Sequence, residues 1–243
     1  INMKYHFLIL ALNEEIYLKK TFIELQDVIL ETAIKDYQIS VIDDGSTDST
    51  LEVAKKIKLE LDSNFKIISN NKNLGPAISI KNYIDEVQEG KLVIISGDND
   101  LEKDLIKKII NASKKADFVL SCYLNREKKG RFRAFLSTAF NLMMCTIFDV
   151  YVFYLQGPAV WPIGIVRKMD IKSKGIAYAS EVHIKLLYSG LSFIEIAGYC
   201  NVGSEKSTSV KLSSFIDIYK CIFRLIYEIK IKKNFIKKSI RIR

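Results

Sequence analysis

The chain has 243 residues, 49% of them hydrophobic, and a formal charge of +9. That is enough apolar material for one cored domain or a domain with an appendage, which excludes a disordered chain. Four scattered cysteines without a CxxC pair and two distant histidines supply no zinc signature, and the cysteines read as reduced thiols in a cytosolic protein whose N-terminus lacks a signal-peptide pattern.

The charge is uneven. Residues 220–243 hold nine Lys/Arg against one acid, Glu228, and the rest of the chain is near neutral. A second basic cluster is Arg126, Lys128, Lys129, Arg131 and Arg133 against Glu127. Two basic segments on a balanced domain point to a localised anionic partner. No nucleic-acid-binding motif appears. An anionic membrane surface suits the apolar residues mixed with the charge, and a solvated helical face is the plainer alternative.

In chain order, residues 5–12 form an apolar run that predicts a strand, with His6 inside it as a core residue, and residues 14–32 have helical spacing. A second strand covers 37–42 and ends in Asp43-Asp44-Gly45-Ser46-Thr47-Asp48, where Ser46 or Thr47 is placed to cap a helix over 49–61. A short strand follows at 65–69, and Gly75-Pro76 opens the next helix. Residues 91–96 are the fourth strand, 101–115 a helix and 117–122 the fifth strand. The alternation predicts βα units and a largely parallel sheet.

The second half differs. Residues 131–148 are a strongly apolar helical stretch with a basic start. Residues 149–166 are apolar and aromatic, but Gly157, Pro158 and Pro162 prevent one helix. Neither reaches the length of a membrane span, about 20 residues. A helix is expected over 179–188, a strand over 193–197 and a loop over 201–209. Residues 212–231 are amphipathic, which fits a membrane or partner surface and equally a terminal helix docked on its own sheet.

The stretch Ser96-Gly97-Asp98-Asn99-Asp100-Leu101-Glu102 holds two aspartates, one residue apart, where a strand ends and a helix starts. Ligands collect at the carboxyl ends of strands in open α/β sheets. Paired carboxylates repel unless a cation joins them, and Mg²⁺ or Mn²⁺ shares such oxygens with substrate phosphates. The stretch therefore reads as a metal–diphosphate site, although its composition also fits a solvated turn. Three more strand ends carry suitable groups: Ala11-Leu12-Asn13-Glu14, Asp43-Asp44-Gly45-Ser46 and Asn73-Leu74-Gly75-Pro76-Ala77. A parallel sheet would bring all four to one edge, which suits a nucleotide. A P-loop and GxGxxG are absent, which disfavours a kinase or an NAD enzyme.

These motifs resemble the family 2 glycosyltransferases of the GT-A fold, in particular the dolichol-phosphate mannose synthase group and related bacterial polyprenyl-phosphate glycosyltransferases. Leu10-Ala11-Leu12-Asn13-Glu14 keeps the Ala, Asn and Glu of the family's opening motif and lacks its Pro. Residues 41–48 match the nucleotide-binding segment. Asn73, Gly75 and Ala77 match the Asn-x-Gly segment without its second glycine. Asp98-Asn99-Asp100-Leu101-Glu102 resembles the Asp-x-Asp-x-Gln metal motif, with Glu for Gln. Arg133, Ser137 and Asn141 resemble an interface helix of the polyprenyl-phosphate group, and Asp149, Gly157 and Glu181 fall where the family has Asp, Gly and an acid. Gly203 and Lys206 look like a loop that closes over the donor. Two expected arginines are Cys122 and Cys200 here, and Arg126 is the candidate to replace the first.

The resemblance implies an α/β, GT-A (Rossmann-like) fold with a mixed, mainly parallel sheet, flanking helices and C-terminal amphipathic helices. It divides the chain into a catalytic domain over 1–211, with a nucleotide-sugar half at 1–120 and an acceptor half at 121–211, and a basic amphipathic helix and tail at 212–243. It implies an inverting transfer from a UDP- or GDP-sugar to a membrane-borne polyprenyl phosphate on the cytoplasmic face, or to a saccharide hydroxyl. A non-catalytic scaffold that has kept the fold is the third reading. Ala11, Asn13, Glu14, Asp43, Asp44, Asn73, Gly75, Asp98, Asn99 and Lys206 would bind the donor. Asp98, Asp100 and Glu102 would hold Mg²⁺ or Mn²⁺. Arg131, Arg133 and Ser137 would hold an acceptor phosphate. Asp100 and Glu181 would be the catalytic acids, Glu181 as the base that a hydroxyl acceptor needs, with an exposed helix carboxylate as its plainer reading.

Overall fold

The apolar runs fold as strands β1 (Tyr5–Ala11), β2 (Tyr37–Asp43), β3 (Phe65–Ser69), β4 (Lys91–Ser96) and β5 (Phe118–Tyr123), separated by helices α1 (Leu18–Glu31), α2 (Thr50–Leu59), α3 (Pro76–Glu86) and α4 (Lys103–Ser113). Then come α5 (Arg131–Phe148), β6 (Ala159–Pro162), the short α6 (Ile163–Val166), α7 (Tyr178–Leu187), β7 (Ser192–Gly198), α8 (Leu212–Leu225) and β8 (Ile240–Arg241). The computed structural model describes residues 3–60, 64–201, 212–233 and 237–242, with residues 212–215 described as backbone only.

The strands form one sheet in the order β3-β2-β1-β4-β6-β5-β7-β8. The sheet is mixed as well as mainly parallel. β6 runs antiparallel to both β4 and β5, while the remaining pairs are parallel. Residues 159–162 thus supply a strand in the stretch whose glycine and prolines ruled out a helix. The register sets Ala11 beside Asp43 and Leu10 beside Ser96, so the turns after β1, β2 and β4 leave the sheet at one level.

Successive side chains of a strand face opposite ways, so Phe7 and Ile9 join one core and Leu8 the other. The first core lies under α1, α2 and α4, and the second under α3, α7, α8 and the end of α5. The segment set apart as a tail shares the second core. Cys221, Leu225 and Ile229 are buried in it, and β8 pairs with β7. This is the docked-helix alternative for residues 212–231. The last turn differs from the expected regular helix, because Ile226–Ile231 wind as a π-helix.

Two helix starts differ from the expected ones. Helix α1 begins at Leu18, because the N–H groups of Asn13, Glu14 and Glu15 donate to Ser46 Oγ, Thr50 Oγ1 and Asp48 Oδ2 at 2.9, 2.7 and 3.3 Å. Ser46 and Thr47 consequently do not cap α2. Asp48 Oδ1 accepts from Thr50 N–H and Glu15 Oε2 from Ser49 N–H, both at 2.9 Å.

Candidate active site

The strand-end turns lock onto one another. Asn13, at φ +57, accepts Thr47 N–H on its amide oxygen at 2.8 Å. Asp43 is buried and accepts Ser46 N–H at 3.1 Å and the Ser69 hydroxyl at 3.3 Å. Gly45 sits where a Cβ would lie 2.5 Å from the backbone of Lys72, so only glycine lets the 43–48 turn press on the 70–75 turn.

Asp44 makes the opposite impression from the nucleoside contact expected of it. Its carboxylate accepts from Asn70 Nδ2, Leu74 N–H and Ser79 Oγ on one oxygen, and from Gly75 N–H on the other, at 2.7 to 3.1 Å. A buried carboxylate with four donors is fully satisfied, so Asp44 sets the shape of the 70–75 turn. Asn73 is exposed and accepts Gly75 N–H at 2.9 Å.

The turn after β4 is strained and only partly satisfied. Asn99 takes φ +57 and is held by two residues. Its amide donates to Glu24 at 2.8 Å, and its carbonyl accepts from Asn201 Nδ2 at 2.9 Å. Asn201 N–H also donates to Asp100 O at 2.9 Å. Asp98 Oδ1 accepts Asp100 N–H at 3.1 Å. Burial, and then the charge of Asp100, raise the Asp98 carboxyl above its ordinary pKa. Asp100 is 8% exposed, and its Oδ2 accepts from Tyr123 OH at 3.2 Å and from Lys129 Nζ. Its Oδ1 is buried with no hydrogen-bond partner.

An unsatisfied carboxylate oxygen next to a second, charge-disfavoured carboxylate is a donor set that a hard divalent cation suits. Asp98 and Asp100 fit that role, but Glu102 does not join them. Among the described residues no group of three acids, histidines or cysteines is arranged to hold a metal. Glu102 opens α4 instead, and its charge is felt by Lys108 of that helix.

From Asp100 a cleft of about 400 Å³ runs toward the second half of the chain. Its lining includes Ser96, Tyr123, Arg126, Lys129, Arg133, Ser137 and Tyr154, and Asp100 is its one carboxylate among the described residues. Gly157 also lines it. A Cβ there would meet Ser121 O at 1.7 Å, so glycine is required for this loop to lie on β5. Arg126 stacks over the Tyr154 ring, 4.6 Å from its centroid, with one Nη buried and unpartnered.

Of the expected acceptor residues, Arg133 and Ser137 line the cleft and Arg131 does not. At about 100° per residue, a helix turns residues two apart to nearly opposite sides. Cys122 and Cys200 are both buried, and burial raises both thiols. Lys206 and Gly203 lie outside the described residues.

Glu181 lies furthest from its expected role. It is 0% exposed and does not line the cleft. It pairs with Lys185 at 3.2 Å and Arg224 at 2.8 Å and accepts Ser173 N–H at 2.9 Å. Burial opposes its charge, but Ser173, Lys185 and Arg224 outweigh that and hold its pKa below the ordinary glutamate value. Its oxygens face partners inside the chain, so it is no free base at the cleft. Tyr123, Lys129 and Tyr154 also line the cleft and were not among the expected site residues. Their only signal was a tyrosine at a strand end, membership in a basic cluster and an aromatic-rich loop.

The outer face of α5 has an unusual character. Only Met144, Cys145 and Phe148 are buried, while Phe132, Phe135, Leu142 and Met143 are exposed. No described helix is long and apolar enough to cross a membrane.

A sequence profile described as Glycosyl transferase family 2 matches residues 7–171. The chain is 24% identical over 212 residues to a protein named cholesterol galactosyltransferase from Borreliella burgdorferi, an alignment covering 78% of this chain and 58% of that protein. The chain thus spans little more than half of that relative. The fold is similar to crystal structures of mannosyl-3-phosphoglycerate synthase from Rubrobacter xylanophilus (TM-score 0.66, 16% identity, 97% of this chain, 76% of that one). It is also similar to glucosyl-3-phosphoglycerate synthase from Mycobacterium tuberculosis in complex with Mn²⁺, UDP and phosphoglyceric acid (TM-score 0.63, 15% identity, 92% and 78%). These neighbours share the expected GT-A architecture, a central mixed sheet with helices on both faces.

Proposed function

The chain belongs to glycosyl transferase family 2, and on that basis we propose that it transfers a sugar, with inversion, from a UDP- or GDP-sugar to a polyprenyl phosphate at an anionic membrane surface. One observation carries the choice of acceptor. The cleft beside Asp100 is lined by Arg126, Lys129 and Arg133, and its described lining offers no second carboxylate. A phosphate acceptor is already an anion and needs no base, whereas a hydroxyl acceptor does. The unpartnered nitrogen of Arg126 is the kind of donor a phosphate oxygen satisfies.

In this reading Asp98 and Asp100 hold the divalent ion, which when bound supplies positive charge to the donor diphosphate. The complex of a fold neighbour with Mn²⁺ and UDP supports that reading by analogy. The 43–48 and 70–75 turns, shaped by Asp43 and Asp44, form the nucleoside side of the edge. Arg126 and Arg133 orient the acceptor phosphate, whose oxygen attacks the anomeric carbon as the bond to the nucleoside diphosphate breaks and its electron pair leaves with the diphosphate. The apolar outer face of α5 adjoins the arginines at its basic start, which suits a lipid surface that presents the acceptor from the cytoplasmic side.

The test is a transfer assay with UDP- and GDP-sugars, Mn²⁺ and either a short polyprenyl phosphate or a saccharide or sterol. A mild-acid-labile sugar-phosphate lipid is the expected product. An acid-stable glycoside would overturn the acceptor, and no transfer from any donor would overturn the enzymatic reading. Co-sedimentation with anionic vesicles should fall with salt, and lipid-indifferent behaviour would remove the membrane from the proposal.

A further inference from the structure

Lys129 stands where a cation at the aspartates must contend with it. Its ammonium lies on Asp100 Oδ2. It also sits over the Tyr123 ring, 4.7 Å from the centroid, and Tyr123 OH donates to the same oxygen. Lys129 thus engages one oxygen of a carboxylate whose other oxygen is buried and unpartnered.

The way the lysine is mounted matters. It ends a single 3₁₀ turn, Arg126–Lys129, that is held at both ends. Before it, Asn125 is joined to Cys200 by two hydrogen bonds of 2.9 Å. After it, Gly130, at φ +106, donates its N–H to Glu127 O at 2.9 Å and accepts from Ala134 N–H at 2.9 Å. The side chain itself is 30% exposed and lines the cleft, so a rotamer change can carry its ammonium into the cleft without moving the sheet. A divalent ion coordinated by Asp100 would lie a few ångströms from this ammonium, in a partly dried site where like charges repel strongly. The two cannot both hold the carboxylate at close range.

We propose that Lys129 is a tethered counter-ion that makes metal loading conditional on the donor diphosphate. Without diphosphate, the ammonium holds Asp100 against a divalent ion. When the diphosphate arrives, the ammonium exchanges Asp100 for a phosphate oxygen, and the freed carboxylate pair takes the ion. No covalent bond is made or broken, and charge is matched on both sides of the exchange: two carboxylates receive the ion, and the diphosphate receives the lysine. This rests on reading the cleft as a nucleotide-sugar site. Its consequence is a thermodynamic coupling, in which diphosphate raises metal affinity and metal raises diphosphate affinity by the same factor.

The experiment is a Mn²⁺ titration followed by electron paramagnetic resonance on the full chain, with and without UDP or GDP, for wild type, Lys129→Met and Lys129→Arg. Thermal melts establish that each variant is folded. Lys129→Met should bind Mn²⁺ alone about tenfold more tightly than wild type, and its gain in Mn²⁺ affinity on adding the diphosphate should shrink by about the same factor. Lys129→Arg, which keeps the charge, should stay close to wild type. A purely structural lysine would give unchanged or weaker Mn²⁺ binding in Lys129→Met, which overturns the proposal. If wild type shows diphosphate-dependent Mn²⁺ uptake and Lys129→Met shows the same dependence, only the counter-ion falls. If wild type takes up no Mn²⁺ with either diphosphate, the donor-site reading falls and the counter-ion with it.

Discussion

Asp100 and Glu181 are both buried acids in contact with a lysine, and the sequence suggested catalytic work for each. The chain treats them differently. At Glu181, Ser173 N–H, Lys185 and Arg224 take up both oxygens, and Glu228 balances Lys185 from the other side at 2.8 Å. At Asp100, Tyr123 and Lys129 share one oxygen and the other has no partner. A closed set of partners is a structural joint, here tying α8 to α7. An open one has a free energy deficit that a ligand can remove. Buried charge alone does not separate the two, and neither does a fully paired network, since Arg224 Nε is itself buried without a partner; what separates them is the unmet oxygen on the carboxylate itself, present at Asp100 and absent at Glu181.

The two acids should differ most in what their neutral amides do to rate and to stability. Asp100→Asn should lower transfer by about a thousandfold, because it removes charge at the diphosphate, while stability stays within about 1 kcal/mol, because the side chain keeps its size and its charged partner Lys129 still reaches solvent, its side chain being 30% exposed. Steady-state rates and thermal melts check both. Glu181→Gln should do the reverse. Breaking a buried ion pair costs roughly 3–5 kcal/mol, a fall in melting temperature of roughly 10 °C, with the rate per folded molecule retained. A large rate loss without destabilisation in Glu181→Gln would restore Glu181 as a base.

The pH dependence of stability separates core from joint. Burial lowers His6 and His183 to about 4, below the ordinary 6.5. The unfolded chain therefore binds more protons between those values, so stability is complete above about pH 6.5 and lost as pH falls toward 4, by roughly 3 kcal/mol per histidine. Glu181, held below its ordinary value, adds a loss only at lower pH. Thermal melts from pH 7 to 4 should slope downward, and Glu181→Gln should leave the upper part of that slope unchanged. The smallest effect is expected at Arg126. Arg126→Ala should raise the acceptor KM about 10- to 100-fold, the worth of one or two charged hydrogen bonds, with the donor KM unchanged. An equal change in both would assign Arg126 to the donor.

The strand-end turns are written in the local sequence. Asp43-Asp44, Asn73-Gly75 and Asp98-Asn99-Asp100 were legible because each lies between an apolar run and a helical repeat, and both signals are local. Their convergence on one edge followed from parallel strands in register. Residues 159–162 were readable only as not helical, because four residues carry too little pattern to name a strand or its direction. Tertiary structure decided which polar groups were answered and which were left open. Arg224 reaches Glu181 from 43 residues away, Lys129 reaches Asp100 from 29, and Asn201 reaches Asn99 from 102. It also turned the apolar stripe of α5 outward. Periodicity announces a stripe but not the side that meets the core, and only the packing of the remaining helices shows that most of this one is left uncovered.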